Sequence, residues 1–234
     1  MSILKLENLG YTYDSGKTAV LKDISMEFEK GKVYGIIGKS GAGKTTLLSL
    51  LSGLTTATQG AILYDGNDIS NIDRYEYRSR SVGVVFQSFN LLPHLTAVEN
   101  VELSMDVSGK KEKDKRTKAL ALLEKVDLDE TLAKRKILKL SGGEQQRVAI
   151  ARAISYDPDI ILADEPTGNL DLETQAEVIN IFKRLAYEEG KCVIIVTHSP
   201  AVAESADILF SLVAPKREKS EKKKAAPVVQ PIQQ

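Results

Sequence analysis

Residues 38–46 read G-K-S-G-A-G-K-T-T, and the first eight of them fit the phosphate-loop template G-x-x-x-x-G-K-[ST]. Each residue type suits an anion cradle. Gly38, Gly41 and Gly43 give the backbone conformations that a Cβ obstructs, so the N–H groups of Lys39, Ser40, Ala42 and their neighbours can converge on phosphate oxygens. The Lys44 ammonium suits the outer phosphates, and the hydroxyl of Thr45, which Thr46 follows, suits a magnesium ion. Residues 33–37, V-Y-G-I-I, form a short apolar run of strand type. Residues 46–54 are Leu-rich, with apolar positions at 47, 48, 50, 51 and 54. Strand, loop and helix in that order put a positive helix end at the anion site.

The chain has 234 residues, 42% of them hydrophobic, which is enough for one large α/β domain with a real core. With 32 basic and 32 acidic residues the formal charge is zero, so no global field attracts nucleic acid, and no nucleic-acid partner is expected. The one cysteine, Cys192, sits in the apolar run C-V-I-I-V and reads as a buried strand thiol. No signal-peptide core and no run of about 18 apolar residues is present, so the expected location is the cytoplasmic side.

Around the phosphate loop, residues 3–9 and 24–28 alternate apolar and polar side chains, with a turn expected over 14–18, which predicts an N-terminal antiparallel layer. Tyr11 and Tyr13 in that layer either pack a strand or stack on a nucleobase. Residues 60–66 read as a strand closed by a turn, 71–81 as an exposed helix, and 82–86, V-G-V-V-F, as a core strand that Gln87 ends. A polar residue at the carboxyl end of such a strand either points into the ligand crevice or is an ordinary strand-end residue.

From residue 88 to about 154 the pattern becomes helical. A capping box spans Thr96 to Glu99, a charge-dense run at 110–118 opens an amphipathic helix, and L-S-G-G-E-Q-Q at 140–146 precedes a strong helix. Ser141 is placed as its N-cap, and Gly142 and Gly143 leave bare N–H groups at a positive helix end, a second anion site. Residues 159–163, D-I-I-L-A, form a buried strand that ends in Asp164 and Glu165, two carboxylates costly to bury without a cation or a proton to transfer. Asp164 suits magnesium, and Glu165 suits a general base for the attacking water. A turn over 166–171 leads into a helix from Leu172 to about residue 189. The strand at 192–197 then ends in His198, one of two histidines in the chain, placed to hydrogen-bond a γ-phosphate.

The phosphate loop, Gln87, L-S-G-G-E, I-I-L-A-D-E and V-T-H stand in the order found in the nucleotide-binding subunits of ATP-binding cassette transporters, and the chain resembles that family over roughly residues 2–213. The resemblance implies a P-loop NTPase fold of the ABC ATPase type. Its parallel-sheet core and antiparallel β layer would fill residues 1–87 and 156–214, an inserted α-helical subdomain residues 88–155, and a basic, disordered tail residues 215–234. The tail carries six basic and two acidic residues.

The same resemblance implies ATP and magnesium as cofactors. Tyr13, or Tyr11, would stack on adenine. The Walker A loop would comprise Gly38, Lys39, Ser40, Gly41, Ala42, Gly43, Lys44, Thr45 and Thr46. Gln87 would meet magnesium and sense the membrane partner, Ser141, Gly142, Gly143 and Glu144 would form the signature, and Asp164 and Glu165 the Walker B pair. Asp171 would cross to a second subunit, and His198 would be the switch histidine. Since Glu165 is not Gln, Asp or Ser, both sites of a homodimer should hydrolyse ATP.

The runs F-Q-S-F-N-L-L-P-H-L-T-A-V-E-N-V and A-D-E-P-T-G-N-L-D further resemble the ATPases of lipoprotein-release, macrolide-exporter and antimicrobial-peptide transport systems. The partners so implied are a second copy in a head-to-tail dimer, an integral membrane permease, and a periplasmic or extracellular adaptor reached through it. Two alternative roles are signalling through a permease, by controlling a wall hydrolase or sensing peptides, and a soluble ATPase acting on chromosomes or ribosomes.

Overall fold

The computed structural model describes residues 2–13 and 18–213. The tail expected at 215–234 lies outside the described residues, as do residues 14–17 of the expected turn.

Strands β1 (Ser2–Tyr13) and β2 (Thr18–Glu29) run antiparallel, longer than the alternating stretches suggest, because register shifts between Leu6 and Leu9 and beyond interrupt the alternation without ending the pairing. After β3 (Lys32–Ile37) and α1 (Lys44–Leu51), β4 (Gln59–Tyr64) returns to the far side of β1 and β5 (Asn67–Asp68) closes that sheet in the order β2-β1-β4-β5. Leu54 was read as part of the apolar face of α1, but Gly53 at φ 71° turns the chain away after the helix ends, and Leu54 is 56% exposed.

The helix expected over residues 71–81 is not continuous. Asp68 caps a 3-10 turn at Ile69–Asn71, Asp73 caps the single turn α2 (Arg74–Glu76), and a π turn covers Tyr77–Ser81. Two side-chain caps five residues apart restart the chain twice. The wide turn then drives Tyr77 inward, where its ring is buried and its hydroxyl donates to Leu51 O at 2.8 Å.

Strand β6 (Val82–Val85) leads into the helical segment α3 (Ala97–Val107), α4 (Lys115–Lys125), α5 (Glu130–Ala133) and α6 (Gly142–Ala153). The chain then alternates β7 (Ile160–Asp164), α7 (Leu172–Tyr187), β8 (Cys192–Thr197), α8 (Pro200–Ser205) and β9 (Ile208–Ser211). The second sheet is wholly parallel, in the order β6-β7-β8-β3-β9.

Because helices or the antiparallel layer cover both faces of this sheet, its strands read as unbroken apolar runs. Ile161, Ala163, Val193 and Ile195 join the core shared with α3, α4, α6 and α7, while Ile160, Leu162, Cys192, Ile194 and Val196 join the core shared with α1 and the antiparallel sheet. Burial lifts the Cys192 thiol pKa to about 12, so it is an inert core residue. The register sets the functional ends level: Ile37 pairs with Thr197, Asp164 with Val196, and Val85 with Ala163.

Candidate functional site

Carboxyl ends of parallel strands in an open α/β sheet form the ligand crevice. Here β3 delivers Gly38, β7 delivers Asp164 and Glu165, β8 delivers His198, and β6 leads to Gln87 two residues past its end.

The loop from Gly38 to α1 depends on glycine at two points. A Cβ on Gly38 would lie 2.7 Å from Leu212 O, and Gly43, the residue before α1, has φ 95° and is walled in by Val20 and Leu21. Ala42 N donates to Lys39 O at 3.0 Å, closing the turn, and Lys44 Nζ donates to Gly38 O at 2.9 Å, so the ammonium curls back over the loop. Gly38, Lys39, Ser40 and Ala42, with His198 and α8, line a crevice of about 850 Å³.

Thr45 Oγ1 donates to Asp164 Oδ2 at 3.3 Å. Burial is the main cause raising the Asp164 pKa above its ordinary value, with the Thr45 hydrogen bond opposing it. A hydroxyl and a desolvated carboxylate side by side are the oxygen donors a hard divalent cation takes. Among the described residues no cluster of three or more His, Cys, Asp or Glu forms a complete protein cage. That donor set suits magnesium, which keeps waters and takes phosphate oxygens.

Glu165 is held in the left-handed region at φ 45°, a costly backbone for a non-glycine residue, with its N–H bonded to Val196 O at 2.9 Å. Both carboxylate oxygens are fixed. Oε2 accepts from Thr197 Oγ1 at 3.0 Å and His198 N at 3.1 Å, and Oε1 lies 2.7 Å from His198 Nδ1. The Glu165 side chain is 12% exposed and the His198 side chain 70%, so one is set and the other reaches into the crevice. The carboxylate is thus held in one orientation. Thr197 escaped the sequence reading; its one signal is its place between V-I-I-V and His198.

Tyr13 is the more exposed of the two aromatics, and its hydroxyl lies 3.3 Å from Thr46 Oγ1, beside the phosphate loop. Tyr11 packs against the core, edge to face with Tyr13 at 4.9 Å. Gln87 is exposed, with its amide against Gly168, where an added Cβ would sit 3.3 Å from Nε2.

Ser141 caps α6 as expected, in a full capping box: its hydroxyl accepts from Glu144 N at 3.2 Å, and Ser141 N donates to Glu144 Oε2 at 2.6 Å. Gly143 is forced by packing, since a Cβ there would meet Thr174 Cγ2 at 2.4 Å. Asp171 caps α7 through Thr174, whose backbone N–H hydrogen bond is the main cause holding the Asp171 carboxyl below its usual range. Thus the structure brings the phosphate loop, Asp164, Glu165 and His198 together. Ser141, Gly142, Gly143, Glu144 and Asp171 take no part in these contacts: Ser141 bonds Glu144, and Asp171 bonds Thr174.

The comparisons with known proteins bear on the family and the fold. The family model described as ABC transporter matches residues 21–168. YclH, an ABC transporter ATP-binding protein of Bacillus subtilis (strain 168), is 49% identical over 212 residues, covering 91% of this chain and 94% of its own. The macrolide export ATP-binding/permease protein MacB of Syntrophobacter fumaroxidans is 43% identical across 88% of this chain, which spans 30% of that longer protein. A dimeric structure of the ATP-binding cassette MJ0796 of Methanocaldococcus jannaschii, in a post-hydrolysis state bound to ADP and Pi, superposes with a TM-score of 0.81 at 38% identity. It covers 90% of this chain and 94% of that one.

Proposed function

The chain belongs to the ABC transporter family, and from that premise we propose that it binds and hydrolyses ATP with magnesium, dimerises head to tail around two nucleotides, and drives a separate membrane permease of the exporter type. The observation that carries this reading is Glu165, pinned through both carboxylate oxygens by Thr197 and His198 beside the Thr45–Asp164 pair.

The phosphate loop holds the phosphates through its N–H groups and Lys44, and Tyr13 presents its ring to the base. Glu165 accepts a proton from the water that attacks the γ-phosphorus, and His198, bonded to it, hydrogen-bonds the γ-phosphate. Thr45, Asp164 and Gln87 would hold magnesium, which would supply neutralisation of charge on the phosphate oxygens. Ser141 and the N–H groups of Gly142 and Gly143 meet the γ-phosphate held by the second copy, so ATP joins the two copies and its hydrolysis releases them.

The surface offered to the permease runs from a cleft of about 330 Å³ between Leu54, Phe86, Asn90 and Arg152 to α3. Leu103 and Val107 of α3 are exposed there, and Tyr75 OH donates to Val107 O at 2.5 Å. Exposed apolar side chains beside a cleft of mixed lining suit contact with a partner helix. Among the described residues no helix is long and apolar enough to cross a membrane, so the permease would supply the spans. The likeness to MacB favours export of a drug, peptide or lipoprotein.

Phosphate release by the purified protein with Mg-ATP tests the enzymatic core. Glu165→Gln is expected to bind ATP as the parent does and to release phosphate at least about a hundredfold more slowly. Turnover at the parent rate would remove Glu165 from the reaction.

A further inference from the structure

The segment after β6 has an unusual backbone. Phe89 and Asn90 are both left-handed, at φ 59° and 53°, a conformation that a bulky aromatic seldom adopts. One side chain answers both residues. Arg152, in the last turn of α6, donates from Nη2 to Phe89 O at 2.9 Å and from Nη1 to Asn90 O. The rest of the corner is tied locally, Phe89 N to Phe86 O at 3.2 Å and Asn90 N to Ser88 O at 2.6 Å. Just past the same helix, Tyr156 OH donates to Val82 O at 2.8 Å, so this end of α6 also holds the first residue of β6. The other end of α6 is the Ser141 cap.

We propose that Arg152 is a positioning residue of the ATPase cycle: its two-carbonyl clamp keeps Phe89 and Asn90 left-handed and so ties the Gln87 corner to the helix that begins at Ser141. A planar guanidinium presents paired N–H groups to two successive carbonyls in a fixed fork, whereas an ammonium offers rotating donors on one nitrogen. Displacement of Gln87, by nucleotide on one side or by a partner in the adjoining cleft, is then carried through Arg152 into α6 as a body. This inference rests on the ATPase reading above and gives Arg152, there only part of the lining of a cleft, a role in the cycle.

The test compares the parent, Arg152→Met, Phe89→Gly and the double variant, with thermal melts as a fold control and Arg152→Lys as a milder replacement. Glycine takes the left-handed corner without steric cost and needs no clamp. Arg152→Met is expected to speed hydrogen exchange at residues 87–91 with β3 unchanged. It is also expected to lower kcat about tenfold while KM for ATP stays within about twofold. Phe89→Gly in the same chain should recover most of that loss, and Arg152→Lys should fall between parent and Met. An unchanged kcat and exchange rate in Arg152→Met, or a double variant no better than Arg152→Met alone, would overturn the proposal. A parent that releases no phosphate would instead refute the ATPase reading, and the exchange rates would still decide whether Arg152 holds the corner.

Discussion

At the scale of single residues, the two adjacent carboxylates differ in how they are held. Glu165 has two donors on Oε2 and the His198 ring against Oε1, whereas Asp164 has Thr45 at 3.3 Å and is partly desolvated. Because burial raises the native Asp164 pKa, the folded chain holds that proton more tightly than the unfolded chain does. Stability of the nucleotide-free protein therefore falls as pH rises from the unfolded value, about 3.9, through the higher native one, and the penalty is complete above it. Asp164→Asn removes the penalty. Thermal melts of parent and variant should show Asp164→Asn more stable by a few degrees at pH 7.5, with the difference shrinking toward pH 4, while Mg-ATP turnover is lost. A variant less stable than the parent at pH 7.5 would show that the carboxylate is favourably held without a cation. These residue types at strand ends were legible in the sequence; the left-handed backbone of Glu165 and its bonds from Thr197 and His198 were not, because both arise from pairing with a strand some thirty residues later.

At the scale of elements, α3 and α6 begin with the same device. Thr96 with Glu99 and Ser141 with Glu144 are both complete capping boxes. Thr96→Ala and Ser141→Ala should each cost about 1 kcal/mol in chemical denaturation. Only Ser141→Ala should also lower ATP turnover, by about tenfold, since the Thr96 cap faces no nucleotide in this account. Equal effects of the two variants on turnover would make Ser141 a cap and nothing more. Elements whose signals are local agree with the sequence: the Thr96–Glu99 capping box, Ser141 as the N-cap of α6, the strand before the phosphate loop, and a helix from about Leu172. The departures have both local and long-range causes. Residues 71–81 break at the Asp68 and Asp73 caps, with Tyr77 bonded to the distant Leu51 carbonyl, and Leu54 leaves α1 because its neighbour Gly53 turns the chain. The clamp made by Arg152 has no sign in the sequence, since nothing local marks the carbonyls it meets about sixty positions earlier.

At the scale of the whole molecule, the crevice lined by the phosphate loop and His198 is open, and the second anion site at Ser141 does not line it. In the proposed assembly a second copy placed head to tail would bring its Ser141 cap to this crevice; the MJ0796 cassette with ADP and Pi is itself a dimeric structure. Zero formal charge leaves no net repulsion between identical copies, so the ligand can decide the association. The most direct measurement is the solution mass of Glu165→Gln by gel filtration with light scattering, with and without saturating Mg-ATP. The account predicts one chain, 25.6 kDa, without nucleotide, and twice that mass with ATP, reverting when ADP replaces it. A variant that binds ATP and stays at the mass of one chain would contradict the shared site.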